Sequence, residues 1–259
     1  MSAAAANFHI VIPARLGSTR LPRKVLRTLA GKPLVQWTWQ AALAAGAQSV
    51  VLATDEREVF DICRGFGADV RMTAASHRSG TDRVDEIASA AGWADDAIVV
   101  NLQGDEPLMP PALVRRAAEL LAQDASADIA TLAHPLHERA DWLNPNFVKV
   151  VMDAQDYALY FSRAPIPWKR DGSSRESPLP SGLAFRHIGL YAYRIGALRR
   201  MAQLPAAALE QCEALEQLRA LSHGLRIKLA ITHEPPPRGV DTEDDFAAVA
   251  ALLAQTAQR

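Results

Sequence analysis

The sequence predicts an α/β fold with a mostly parallel central sheet and an antiparallel extension. In the first half, short β-branched apolar runs alternate with helix-like stretches, the mark of successive βα units. From about Asp128 the β-type runs instead follow one another directly, as in antiparallel pairing. With 259 residues, 49% of them hydrophobic and 22% charged, the chain is long enough and apolar enough to bury a sizeable core.

The first element is FHIVIPA, residues 8 to 14, which is short, β-branched and closed by loop residues, as expected of a buried strand. Residues 15 to 33 hold Gly17, Pro22, Gly31 and Pro33 among several basic side chains, a long loop before the helix LVQWTWQAALAAG. The second unit is the strand SVVLAT and a helix running to Phe66, with Asp55 as N-cap and Glu58 three residues later. A third strand at DVRM leads to HRSGTDR, where Ser79 and Asp82 have the spacing of a capping box ahead of VDEIASAA. The fourth strand, AIVVNL, runs into QGDEPLMPP and a helix from about Ala112 to Ala122. Parallel strands place the loops after Ala14, Thr54, Met72 and Leu102 on one edge, where ligands bind in such sheets. DIATLA, FVKVVMD and YALYFSR supply the antiparallel extension. KRDGSSRESPLPSG is expected to be a mobile surface loop, and FRHIGLYAYR a returning strand. The helix QCEALEQLRALS, the strand RIKLAIT, the turn HEPPPRGVDT and an alanine-rich helix complete the chain, with no internal repeat or domain linker.

The 28 basic and 29 acidic residues give a net charge of −1, so no global field favours nucleic acid or an anionic membrane, and neither is expected as a partner. Cys63 and Cys212 form neither a CxxC pair nor a Cys/His cluster, which argues against zinc and against a disulfide framework. The N-terminus lacks a secretory pattern and no run approaches the roughly 18 apolar residues of a membrane span, so a cytoplasmic location is expected.

Three segments carry chemistry. Arg15, Arg20, Arg23 and Lys24 follow the first strand, with Gly17 and Ser18 allowing close backbone approach to a ligand. Guanidinium forks pair with phosphate oxygens and an ammonium acts as a point charge, so this loop suits a triphosphate. Neither a GxxxxGK[ST] loop nor a GxGxxG fingerprint occurs, which weakens ATPase and dehydrogenase readings. Asp105 in NLQGDEP lies just past a buried strand, well placed for a hard cation, although an aspartate there also serves as a turn or cap residue. In RGVDTEDD, Thr242 and Asp245 form a capping-box pattern that leaves Asp241 outside the helix as a second metal carboxylate or a complement to the helix dipole. Between Asp105 and Asp241, Arg163, Arg186, His187, Tyr191, Glu216 and Gln217 are residue types that bind a carboxylate and sugar hydroxyls.

In order along the chain, VIPARLGSTRLPRK, SGTDR, VNLQGDEPL, NPNFVKVV, ALYFSRAPIPW, RHIGLYAYR, LEQLRAL and GVDTEDD resemble the bacterial 3-deoxy-manno-octulosonate cytidylyltransferase (CMP-Kdo synthetase) family. The resemblance spans about Phe8 to Phe246. It implies a nucleotide-diphospho-sugar transferase-like, Rossmann-like fold, a homodimer, Mg2+ as cofactor, CTP and Kdo as substrates, and a role in lipopolysaccharide biosynthesis. It implies one cytidylyltransferase domain over residues 1 to 259, with 8 to 125 mainly nucleotide-binding and 126 to 240 mainly sugar-binding and dimerising. Carried onto this sequence, Arg15 and Lys24 fall on triphosphate positions, Arg78 and Ser79 where cytosine is recognised, and Asp105 and Asp241 on the metal carboxylates. Lys24, Asp105 and Asp241 are the expected catalytic group. Gln103, expected to touch nucleotide and sugar, joins Arg163, His187, Tyr191, Glu216 and Gln217 around Kdo. The nearest alternative is a cytidylyltransferase for another acidic sugar such as a sialic acid; a catalytically silent nucleotide-binding protein is the alternative of another class. The chain departs from the family pattern LPGKPL at Arg23 and Val25. If the glycine used a positive φ, Arg23 is strained; if not, it adds charge near the phosphates.

Overall fold

A computed structural model describes residues 6–17, 21–170, 179–234, 237 and 239–256. Ser18, Arg20, Arg238 and the stretch 171–178 of the expected surface loop lie outside the described residues.

Strand β1 (Phe8–Pro13) is an interior strand of the sheet and alternates between two cores, as the period of two requires. Phe8, Ile10 and Ile12 face one core and Val11 the other. After a short hairpin of β2 (Thr28–Leu29) and β3 (Lys32–Pro33), α1 (Leu34–Ala44) leads to β4 (Ser49–Thr54), α2 (Arg57–Gly65) and β5 (Asp69–Met72). Then follow α3 (Gly80–Ala90), β6 (Ile98–Asn101) and α4 (Pro111–Gln123). Strands β4 and β6 flank β1 and β5 pairs with β4, all parallel. The loops after Ala14, Thr54, Met72 and Leu102 therefore open on one edge, as expected.

The second half holds β7 (Ile129–Pro135), α5 (Arg139–Leu143), β8 (Lys149–Met152), β9 (Ala158–Ser162) and β10 (Phe185–Arg194). It ends with α6 (Ile195–Gln203), α7 (Ala208–Glu213), α8 (Gln217–Ser222), β11 (Ile227–Ile231) and α9 (Glu243–Thr256). Strand order in the main sheet is β11-β7-β10-β6-β1-β4-β5, with β8 pairing β10 and β9. The long β10 runs antiparallel to β6, β7 and β8, so it joins the two halves in one sheet. Among the described strands β8 and β9 extend the sheet beside β10, and β7 lies in the main sheet, antiparallel to β10 and parallel to β11.

Side chains of α1, α2 and α4 (Val35, Val59 and Val114) fill one core, and those of α3, α6 and α8 (Ile87, Leu198 and Leu218) fill the other. A smaller cluster of Leu21, Leu29, Leu34, Val240, Val249 and Leu253 packs α9 onto the segment that carries Lys24. Burying each such side chain contributes roughly 1.5–3 kcal/mol. That suffices to hold α9, and the residues leading into it, against the opposite end of the sequence.

Two local expectations need correction. Asp55 does not cap α2: Glu56 occupies the N-cap position without a side-chain cap bond, and Asp55 is drawn to Arg83 at 2.6 Å. The Arg83 side chain is only 3% exposed, and a buried guanidinium left without a carboxylate is far costlier than an uncapped helix end. The stretch QCEALEQLRALS is not one helix. The backbone turns left-handed at Ala214 (φ 52, ψ 51), which ends α7 before α8 starts at Gln217.

Candidate functional site

At the open edge of the sheet, Lys24, Asp105 and Asp241 converge. The Lys24 ammonium donates to Asp105 Oδ2, to Asp241 Oδ1 at 2.9 Å and to the Val240 carbonyl at 3.1 Å. Burial opposes the Lys24 charge, but the two carboxylates outweigh it and hold its pKa above the usual lysine value. Each partner is placed by a local device. Lys24 opens a short 3-10 turn after Arg23. Asp105 follows β6 at a point where the chain crosses β1 so closely that a Cβ on Gly104 would sit 2.8 Å from the Pro13 carbonyl oxygen. Asp241 precedes α9, whose start is fixed by the expected box: Asp245 N–H donates to Thr242 Oγ1 at 3.2 Å, and Thr242 N–H to Asp245 Oδ2 at 2.9 Å. The Val240 N–H donates to the Asp105 carbonyl at 2.9 Å, so the two aspartate segments are tied through backbone as well.

A cavity of about 640 Å³ opens beside this trio. Its lining includes Gln103, Asp105, Glu106 and Asp241 together with Asn146, Phe147, Arg163 and Arg186. The Arg163 guanidinium donates to the carbonyls of Glu213 at 2.7 Å and Pro145 at 3.1 Å, and that of Arg186 lies 3.9 Å over the Phe147 ring. The lining thus holds both carboxylates and guanidinium groups.

The remaining expected residues sort into two groups. Ser79 caps α3 through the reciprocal bonds of the predicted box, with Arg78 exposed beside it. Thr81, two residues on, donates to Glu216 Oε2 at 3.1 Å, which brings the SGTDR segment and the start of α8 together. Burial pushes the Glu216 carboxyl up, against the pull of the hydroxyls at Ser79 and Thr81. Gln217 is buried at the start of α8, and the Tyr191 hydroxyl is buried without a partner among the described residues. His187 is buried too, 2.9 Å from Thr131 Oγ1 and edge-on to Phe161, and desolvation pushes its pKa down to about 3. Arg15 is exposed just past β1.

Arg23 answers the question left by its family position: its backbone is left-handed (φ 57, ψ 24), and its side chain pairs with Glu58 on α2. The side chain of this non-glycine residue is thus directed to α2, and the backbone is strained.

Glu106 escaped the sequence reading. Burial, with Asp105 and Asp241 close by, pushes its carboxyl up to about 8, against the opposing charges of Arg186 and Lys24. It packs against Gly239, where a Cβ would lie 2.6 Å from Glu106 Oε1. The available signal was a second carboxylate directly after Asp105 in GDEP; its enclosure depends on residue 239 and could not be seen locally.

Two carboxylates from separate segments facing one cation, beside room for a phosphorylated ligand, form a donor set that suits Mg2+, which binds through one or two carboxylates plus phosphate oxygens and water. No group of three or more His, Cys, Asp or Glu suited to a metal occurs among the described residues. No described helix is long and apolar enough to cross a membrane.

A cytidylyltransferase family model matches residues 9–227. A solved structure of CMP:2-keto-3-deoxy-manno-octonic acid synthetase complexed with CTP is 39% identical, with a TM-score of 0.88 over 97% of this chain and 100% of that one. A cytidylyltransferase from Leptospira borgpetersenii serovar Hardjo-bovis (strain JB197) shares the fold at 14% identity and a TM-score of 0.59, over 96% of this chain and 87% of that one.

Proposed function

The chain belongs to the cytidylyltransferase family, and from that premise we propose that it transfers CMP from CTP to 3-deoxy-D-manno-octulosonate, releasing pyrophosphate. The observation that carries this reading is the convergence of Lys24, Asp105 and Asp241 beside a cavity whose lining also presents Arg163 and Arg186. Lys24 and Arg15 meet the triphosphate, while Arg78 and Ser79 meet the cytosine at the start of α3. Residues 8 to 125 thereby serve the nucleotide and 126 to 240 the sugar and the subunit contact of a homodimer, within one domain.

The anomeric hydroxyl of the sugar attacks the α-phosphorus, the new O–P bond forming as the bond to the pyrophosphate oxygen breaks, without a covalent enzyme intermediate. Such a displacement asks the protein for alignment and charge neutralisation rather than for a nucleophile. Asp105 and Asp241 would hold Mg2+, which supplies charge neutralisation at the phosphates and a lowered pKa for the attacking hydroxyl. Lys24, already charged between the carboxylates, offsets phosphate charge. Arg163 meets the sugar carboxylate, and Gln103, His187, Tyr191, Glu216 and Gln217 enclose its hydroxyls. The product serves lipopolysaccharide assembly, and the enzyme works in the cytoplasm.

Pyrophosphate release with CTP, Mg2+ and either Kdo or a sialic acid tests the assignment. Turnover with Kdo is expected. Turnover with the sialic acid alone would transfer the reading to that sugar, and CTP binding without turnover on Kdo would identify a silent nucleotide-binding protein.

A further inference from the structure

The NPNFVKVV segment contains a charged group that the reaction above leaves unused. Lys149 opens β8, where its backbone is paired with Ser162 of β9 and Arg186 of β10, and its side chain is wholly buried. An ammonium carries three N–H donors and is strongly hydrated, so enclosing it is unfavourable unless every donor finds an acceptor. Here all three do: Lys149 Nζ donates to the carbonyls of Asn144 at 2.8 Å, Phe147 at 2.6 Å and Arg163 at 2.6 Å. Burial, with Arg163 nearby, lowers its pKa.

The three acceptors belong to two chain segments, and both reach the cavity. Asn146, Phe147 and Arg163 line it, whereas Lys149 does not. Arg163 closes the arrangement from the other side, its Nη1 donating to the Pro145 carbonyl. The Phe147 ring in turn supports the Arg186 guanidinium at 3.9 Å. One buried ammonium therefore fixes the backbone from which Arg163 projects and the ring on which Arg186 rests. An apolar side chain of similar volume would fill the same space without desolvating a charge, but would leave the three carbonyls without this shared donor.

We propose that Lys149 is the positioning residue of the acceptor wall, setting Arg163 and Arg186 to receive a sugar carboxylate without itself touching the sugar. This rests on the reading of that wall as the acceptor site. Wild-type turnover of CTP with Kdo is measured first, since its absence overturns the functional reading rather than the role of Lys149. In Lys149→Met, KM for Kdo is expected to rise about ten- to a hundredfold, the usual scale for loss of alignment. The CTP dissociation constant should stay within roughly twofold, because the nucleotide residues lie on other segments. In an Arg163→Ala background the same substitution should add far less, since the two act through one wall. An unchanged KM for Kdo, equal losses toward both substrates, or full additivity with Arg163→Ala would overturn the proposal. Should Lys149→Met not fold, amide exchange in the wild type decides. The Phe147 N–H, which donates to the Asn144 carbonyl at 3.1 Å, should be protected as strongly as the β8 amides, and exchange there many times faster would overturn the fastening.

Discussion

Replacing His187 with glutamine is expected to flatten the acid limb of the stability curve. Thr131 Oγ1 lies 2.7 Å from the Leu190 carbonyl and donates to it, so the imidazole Nε2–H donates back to the Thr131 oxygen at 2.9 Å. The ring is neutral, enclosed beside Phe161 and Tyr191, and its pKa falls from 6.5 to about 3. Between those values the unfolded chain binds a proton that the folded chain refuses, so stability is complete above pH 6.5 and is lost as pH falls toward 3. Each unit below 6.5 costs up to about 1.36 kcal/mol, or about 2 kcal/mol at pH 5. Glutamine places an amide N–H near the Nε2 position and does not titrate. Urea unfolding of both proteins at pH 7.5, 6.5, 5.5 and 5.0 should therefore show their free-energy difference shifting by about 2 kcal/mol in favour of the variant across the series. His9 and His134, whose pKa values burial also lowers, titrate in both proteins and drop out of the difference. A difference that stays constant from pH 7.5 to 5.0 would refute the argument.

Three further outcomes are expected. Asp105→Asn should nearly abolish pyrophosphate release at ordinary Mg2+ concentrations, and near wild-type release would remove Asp105 from the mechanism. Gly239→Ala forces a Cβ to within 2.6 Å of Glu106 Oε1, in the segment that delivers Asp241; turnover should fall about tenfold or more, measured as kcat across a Mg2+ titration, with little change in the thermal midpoint. Arg23→Gly relieves a left-handed backbone at the cost of an exposed pair with Glu58. Strain of about 1–2 kcal/mol exceeds the pair's roughly 0–1, and glycine's added unfolded-state entropy cuts the remainder, so urea denaturation should show a gain of at most about 1 kcal/mol.

Much of the fold was legible because the information is local. The β-branched run at Phe8–Pro13, the Ser79–Asp82 box and the Thr242–Asp245 box each depend on residues within a few positions of one another. Where the reading erred, a distant partner had won. Asp55 has the right spacing for a cap, yet Arg83, 28 positions on, needs its carboxylate in a buried setting. The break at Ala214 has no glycine or proline to announce it; it accompanies Glu213, which accepts from Ser162 Oγ at 2.5 Å and from the Arg163 N–H at 2.9 Å.

The residue types of the proposed site, basic loop, paired aspartates and the side chains proposed to meet the sugar, were set by the sequence alone, as was the parallel edge on which the first-half loops open. Only the tertiary structure decided that Lys24 lies between carboxylates 81 and 217 positions away, that Glu106 is enclosed with them, and that the buried Lys149 ammonium meets the carbonyl of Arg163. The reason is physical: caps and strand periodicity are fixed by neighbours in the chain, whereas burial of a charge depends on sheet order and on the docking of α9, which no short stretch of sequence contains.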